Sequence, residues 1–252
     1  MQGVSQSRFR QILGVTFFCG SASEAVDIVR RGGLLVVPAA PALRNLPHDS
    51  AYREALLEAD LVITDSAFMV LFWNLLQGDS VKRLSGLEYM RELVSRPDFG
   101  RNGETFWIMA SSASADKNIS WLQTQGLEVK EVDYYVARLY GDQIEDRELL
   151  DRLRERHPKE IVVTLGGGTQ ERVGLYLKTN LDYPVAVHCI GAAIAFLSGD
   201  QVRIPPWADK MYLGWLFRCF ADPRRYGPRY WQARDLLRLI ARYRERLPEP
   251  QG

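Results

Sequence analysis

The sequence predicts an α/β fold built on a parallel sheet, and three observations predict it. Short β-branched or aromatic runs recur along the chain, among them VTFF, LLVV, LVIT, TFWIMA, EIVVTL and PVAVHC. Amphipathic segments with apolar residues at helical spacing separate them, which is the pattern of repeated βα units. Capping and glycine signals stand at several of the junctions.

Taken in order, VTFF from Val15 leads into SASEAVDIVRRGG, where Ser21 and Glu24 form a capping box and Gly32 with Gly33 stops the helix. LLVV follows as a strand. DSAYREALLEAD is a helix running into the strand LVIT, after which a helix passes through Trp73, a polar turn intervenes, and GLEYMRELV makes another helix. TFWIMA, EVKEV, EIVVTL and PVAVHC read as four more strands, separated by the helices SADKNISWLQ, IEDRELLDRLRER and TQERVGLYLK. After Gly199 the texture changes to dense aromatics, arginines and prolines, and a basic helix, RDLLRLIARYRERL, closes the chain. The expected organisation is therefore a sheet domain over 1–199 and a helical basic and aromatic appendage over 200–252.

At 252 residues the chain is long enough for one large α/β domain with such an appendage. A net charge of +1 argues against a chain-wide surface for nucleic acid, but residues 200–246 carry eleven Lys or Arg against five Asp or Glu. That local excess of +6 suits an anionic membrane face, a diphosphate or a nucleic acid, and chemistry alone does not decide among them. The bland alternative is a packed subdomain whose removal exposes core. Cys19, Cys189 and Cys219 are odd in number and widely spaced, so neither a disulfide framework nor a zinc site is indicated, and a reducing cytosol fits. No signal peptide is evident, and the longest nearly apolar run, PVAVHCIGAAIAFL, is fourteen residues and contains His188, too short to span a bilayer.

Four segments are candidates for chemistry. VITDSAFMVLFW is apolar apart from one Thr-Asp-Ser step, which makes Asp65 either the N-cap of the helix starting near Ser66 or a carboxylate at a strand's carboxyl end, where open sheets bind ligands. In VTLGGGTQE a strand enters three glycines and then a helix, so either backbone N–H groups at Gly166 and Gly168 face a phosphate or the glycines only make the strand-to-helix turn, and Gln170 and Glu171 in the first turn either reach a ligand or serve the helix dipole. The spacing is not the dinucleotide fingerprint, because Glu171 takes the third glycine's place. Arg83 stands two residues before Ser85, ahead of a helix. In the tail, Arg218, Arg224, Arg225 and Arg229 interleave with Trp215, Phe217, Phe220, Tyr226, Tyr230 and Trp231.

The order of these segments resembles the WecG/TagA/CpsF glycosyltransferases, glycosyltransferase family 26, over nearly the whole chain. DLVITDS is followed by KRLSGLEYM, where the family has R-x-T-G-x-D-x-M, and by GGGTQE, where it has G-x-P-K-Q-E. IGAAIAFLSGDQVRIPPW and GWLFRCFADPRRYGPRYW match its last two motifs. The resemblance implies a Rossmann-like sheet and a metal-independent, inverting transfer of a sugar from a UDP donor to a polyprenyl-diphosphate-linked saccharide. It places the enzyme in the cytoplasm, peripherally attached to the inner face of the plasma membrane, and is compatible with a homo-oligomer. It implies that Asp65 is the general base, that Arg83, Gly166, Gly168, Gln170, Glu171 and Tyr135 bind donor or acceptor, and that Arg218, Arg224, Arg225 and Arg229 close over the diphosphate. No cofactor is expected. The chain departs from the family pattern at Pro38, Ala39 and Ala40 (T-x-N), Ala110 and Ser111 (G-G), Thr169 (Lys), Ala195 (Asp) and Gly214 (Glu). These departures imply a changed substrate, the alternative being a catalytically decayed nucleotide-sugar-binding scaffold.

Overall fold

The computed structural model describes residues 8–201, 208, 214–232 and 234–251, and for part of 214–232 the helix backbone alone. The strands are β1 (Phe9–Ile12), β2 (Val15–Phe18), β3 (Gly33–Val36), β4 (Leu61–Ile63), β5 (Thr105–Met109), β6 (Tyr134–Val136), β7 (Glu160–Val163) and β8 (Ala186–Cys189). They form one sheet in the order β1-β2-β4-β3-β8-β7-β5-β6. All neighbouring pairs are parallel except the β1–β2 hairpin. The helices, in chain order, are α1 (Ala22–Val29), α2 (Ala40–Leu43), α3 (Ser50–Leu57), α4 (Ala67–Gln77), α5 (Gly86–Ser95), α6 (Ser112–Thr124), α7 (Arg147–Arg156), α8 (Thr169–Asn180), α9 (Ala193–Ser198), α10 (Gly214–Ala221), α11 (Pro223–Gln232) and α12 (Arg234–Tyr243).

Two cores sandwich the sheet, and the pleat sorts side chains between them. Leu34 and Val36 of β3 enter one core, with Tyr52 of α3, Trp73 of α4, Leu149 of α7 and Val173 of α8. Leu35 and Val37 enter the other, with Val26 of α1, Met90 of α5, Leu122 of α6 and Ile194 of α9. A sheet covered on both faces needs strands that are largely apolar, which is why LLVV, LVI and IVV read as unbroken runs. The Ser21–Glu24 capping box forms as expected: the Ser21 hydroxyl accepts from the Glu24 N–H, and the Glu24 carboxylate accepts from the Ser21 N–H at 3.0 Å.

Three local features differ from the sequence expectation. EVKEV is not a strand; Glu131–Asp133 is a single 3-10 turn, and the strand begins one residue later at Tyr134. Asp133 decides this, because its buried carboxylate takes the Lys130 N–H at 3.0 Å and the Arg156 guanidinium at 2.6 Å, closing the turn. Upstream, Phe9–Ile12 adds a strand to the sheet edge through a tight turn in which Leu13 and Gly14 both have positive φ. A leucine in that conformation is not a hairpin signal in a sequence. A short helix, α2, also follows β3 directly.

The last helix is built into the sheet domain. Leu236, Ile240 and Tyr243 are buried in the same core as Trp73, and α12 packs against α4 and α2. Beyond it the chain hydrogen-bonds back to the hairpin, Leu13 N–H to the Arg244 carbonyl at 2.7 Å and Gly14 N–H to the Glu245 carbonyl at 2.8 Å. The change of composition near residue 200 is thus not a break in packing for residues 234–251. No helix among the described residues is long and apolar enough to cross a membrane.

Candidate active site

The carboxyl ends of β4, β3, β8 and β7 are adjacent in the sheet, and four chain turns gather there. These are Thr64–Ser66 after β4, Pro38–Ala40 after β3, Ile190–Gly191 after β8 and Gly166–Gln170 after β7. With neighbouring strands about 4.8 Å apart, the edge from β4 to β7 is about 14 Å wide, suited to an extended ligand. This is where parallel sheets of this kind bind their ligands.

Asp65 stands at one end of that edge, and it is not the cap of the helix that follows it. Ser66 takes that role, its hydroxyl accepting from the Met69 N–H. The Asp65 carboxylate reaches across to α5, where Oδ1 accepts the Gly86 N–H at 2.9 Å, one of the helix-start donors that the helix itself leaves unmatched. Arg83 clamps the same residue, its Nε donating to the Asp65 carbonyl at 2.6 Å and its Nη2 lying 3.6 Å from Oδ1. Thr64, fully buried, donates to the Lys82 carbonyl and accepts from the Leu84 N–H, which fastens the Arg83 segment to the strand end. Gly86 is required for this closeness, since a Cβ there would lie 3.0 Å from Val37 at the end of β3. Oδ2 of Asp65 makes no hydrogen bond among the described residues, so one carboxylate oxygen is held and the other is available to a ligand.

At the other end, Gly166 and Gly167 are exposed, and Gly168 has φ +92°, a conformation that side-chain-bearing residues rarely adopt. Gln170 and Glu171 turn inward beneath this loop and are 2 % and 0 % exposed. Glu171 accepts the Gly168 N–H at 2.7 Å through Oε2 and the Gln170 Nε2–H at 3.1 Å through Oε1. Burial is the main cause of its carboxyl being pushed up from 4.5 to about 7, with the hydrogen bonds from Gln170 and Gly168 and the nearby Arg172 charge opposing that shift. Gln170 Oε1 is a buried acceptor without a hydrogen-bond partner among the described residues, directly under Gly191, where any Cβ would sit 3.3 Å from it. Glu171 thereby shapes the glycine loop from below.

The remaining expected site residues are distributed differently. Tyr135 lies on β6, five strand positions from β4, and its hydroxyl donates to the buried Asp146 at 3.2 Å, a carboxylate that also receives Tyr140 and Arg138. The structure does not bring Tyr135 to Asp65. Arg224 is exposed on α11, a helix packed against α2 beside Pro38–Ala40. The side chains of Arg218, Arg225 and Arg229 lie outside the described residues. Sequence reasoning missed Thr64, Gly86 and Gly191; all three stand inside quoted motifs, and only their contacts with distant segments reveal them.

Residues 10–250 match the sequence profile of the Glycosyl transferase WecG/TagA/CpsF family. The chain belongs to this family. It is accordingly a glycosyltransferase. It is also similar to the N-acetylglucosaminyldiphosphoundecaprenol N-acetyl-beta-D-mannosaminyltransferase of Bacillus spizizenii, 23% identical over 207 residues that cover 81% of this chain and 77% of that protein. Against the WecG/TagA/CpsF pattern, the turn after β3 is apolar here: Ala39 caps α2 without any side-chain hydrogen bond, and Pro38 and Ala40 are buried. Ala195 is buried on α9. Ala110 and Ser111 end β5, where the Ser111 hydroxyl caps α6 by accepting from Ser114.

Proposed function

We propose that the protein moves a sugar from a UDP-sugar to a hydroxyl of a saccharide carried on a polyprenyl diphosphate, with inversion, during synthesis of an exopolysaccharide, capsule or wall polymer. The observation that carries the reading is the Asp65 carboxylate, one oxygen fixed by Gly86 and Arg83 and the other unengaged among the described residues, on the same sheet edge as the glycine loop. A base held in this way takes the acceptor's proton as the hydroxyl oxygen bonds to the anomeric carbon, while the bond from that carbon to the diphosphate breaks on the opposite face and UDP departs. The exposed Gly166 and Gly167 ahead of α8 suit a phosphate group, by their N–H groups and the helix's positive end, whereas the Gly168 N–H is already taken by Glu171.

Charge accumulating on the departing diphosphate is met, in this reading, by Arg218, Arg224, Arg225 and Arg229 rather than by a metal ion. The name of the Bacillus relative supports a polyprenyl-diphosphate-linked acceptor. Pro38, Ala40 and Ala195, apolar where the family pattern is polar, favour a changed substrate, in which the donor or the acceptor departs from the pair of N-acetylmannosamine and an N-acetylglucosamine-bearing lipid. Such an acceptor lives in a bilayer, so the enzyme works peripherally at the inner membrane face.

Thermal shift with UDP and a panel of UDP-sugars, followed by turnover with a short polyprenyl-diphosphate saccharide in EDTA, tests the proposal. A ligand that binds only the folded state raises its melting temperature. UDP stabilisation and EDTA-resistant transfer are expected. Absence of UDP stabilisation overturns the donor assignment, and binding without turnover across the panel overturns the transfer step.

A further inference from the structure

Helix α4 is a surface helix that is apolar except for Asn74 and Gln77 near its end. Its eleven residues, AFMVLFWNLLQ, contain no charge. Met69, Val70 and Trp73 fill the core beneath it. On the outside, Leu71 is 51% and Leu75 82% exposed, with half-buried Phe68, Phe72 and Leu76 beside them at helical spacing. A helix that is hydrophobic all round belongs in a protein core or against lipid, and α4 is only half covered.

What flanks this ridge is basic. α12 packs directly on α4 and displays exposed arginines at 234, 238 and 242, one helical stripe, followed by exposed Arg244 and Arg246. Exposed Trp231 stacks under Arg234, whose guanidinium lies 4.3 Å from the ring centroid, and Phe220 is 78% exposed on α10. Apolar and aromatic side chains beside arginines are what an interfacial helix presents to headgroups.

We propose that α4 lies along an anionic bilayer surface, the Phe68–Leu71–Phe72–Leu75 ridge entering the headgroup layer while the α12 arginines meet lipid phosphates. The consequence for chemistry is positional. α4 starts two residues after Asp65, so at about 1.5 Å per residue the Leu71–Leu75 ridge lies within about 15 Å of that carboxylate. An acceptor sugar joined by a diphosphate to a bilayer-embedded chain then reaches the sheet edge without leaving its membrane. This inference takes its biological sense from the lipid-linked acceptor proposed above, but membrane binding is measured without any transfer reaction.

Flotation of the full chain with vesicles of phosphatidylglycerol and phosphatidylcholine tests it, alongside Leu71→Gln/Leu75→Gln and Arg238→Gln/Arg242→Gln. The substituted side chains are exposed, so unchanged melting certifies the fold. The leucine pair is expected to weaken vesicle binding tenfold or more at every salt concentration, the scale of withdrawing two leucines from an apolar phase. The arginine pair is expected to weaken binding at low salt and make little difference at high salt. Wild-type flotation by the leucine variant overturns the proposal. So does a wild-type dimer, seen by sedimentation, that the leucine variant dissociates without loss of flotation, because a second copy then covers the ridge. Failure of sugar transfer in the same preparations strikes the proposed reaction and leaves the flotation result standing.

Discussion

Replacing Glu171 by glutamine is expected to flatten the pH dependence of stability. Glu171 is fully buried, and its carboxyl is pushed up from 4.5 to about 7 chiefly by that burial. Tyr52 of α3 and Cys189 of β8 are close enough to feel its charge, which adds to the burial that already holds both groups well above their usual range. The folded state therefore keeps a proton that the unfolded chain releases near 4.5, and the folded state binds more protons through the window between the two values. Stability contributed by this group is greatest below about 4.5 and falls as pH rises to about 7, above which the loss is complete. A shift from 4.5 to about 7 corresponds to about 3 kcal/mol in total, most of which falls between about pH 5 and pH 8. Glutamine has no such proton and can still accept the Gly168 N–H. Urea unfolding across that range should show wild type losing about 2–3 kcal/mol relative to Glu171→Gln, or about 5–10 °C in melting temperature. Parallel stability curves for the two proteins would refute the assignment of a raised carboxyl beneath the glycine loop.

Asp65→Asn should retain the hydrogen bond from Gly86 and the wild-type melting temperature while lowering transfer about a hundredfold or more; turnover at the wild-type rate removes the base. Tyr135→Phe should cost about 1 kcal/mol by leaving Asp146 one donor short, with UDP affinity unchanged by calorimetry, and a clear loss of affinity would return Tyr135 to the donor site. Gly86→Ala should destabilise by about 1–3 kcal/mol because its Cβ meets Val37, and should impair transfer through the displaced Asp65 contact; a variant as stable and active as wild type disproves the close approach. Ending the chain at residue 233 withdraws Leu236, Ile240 and Tyr243 from the core, about 5–8 kcal/mol of burial, comparable to the whole stability of a domain, so the product should be unfolded or aggregated by circular dichroism and light scattering.

Legibility in the sequence follows the range of the interactions. Helices whose caps are their own residues, such as α1 with Ser21 and Glu24, could be placed nearly to the residue, as could strands buried on both faces, whose pattern is simple. β6 was displaced because Asp133 is claimed by Arg156, twenty-three positions away, and no local pattern carries that contact. β1 was invisible because a sheet edge tolerates the polar Arg10 and Gln11, and its turn uses Leu13 in an unusual conformation. The same distinction governs the site. The sequence shows that Asp65 ends a strand and that three glycines precede a helix. It does not show that the carboxylate takes a donor at the start of α5 rather than α4, because that depends on Gly86 packing so close to Val37, once β3 and β4 have paired, that an added Cβ would lie 3.0 Å from it. Nor does it show that Glu171 faces inward: in a helix's first turn a glutamate is equally at home in solvent, and only the packing of α8 on the sheet decides. A residue's chemical type is local information, but whether it touches a ligand or holds the loop that does is set by which strand end lies beside it. That is why Asp65 has one oxygen without a hydrogen bond among the described residues, while Glu171, at the other end of the same sheet edge, has both of its oxygens committed to the fold.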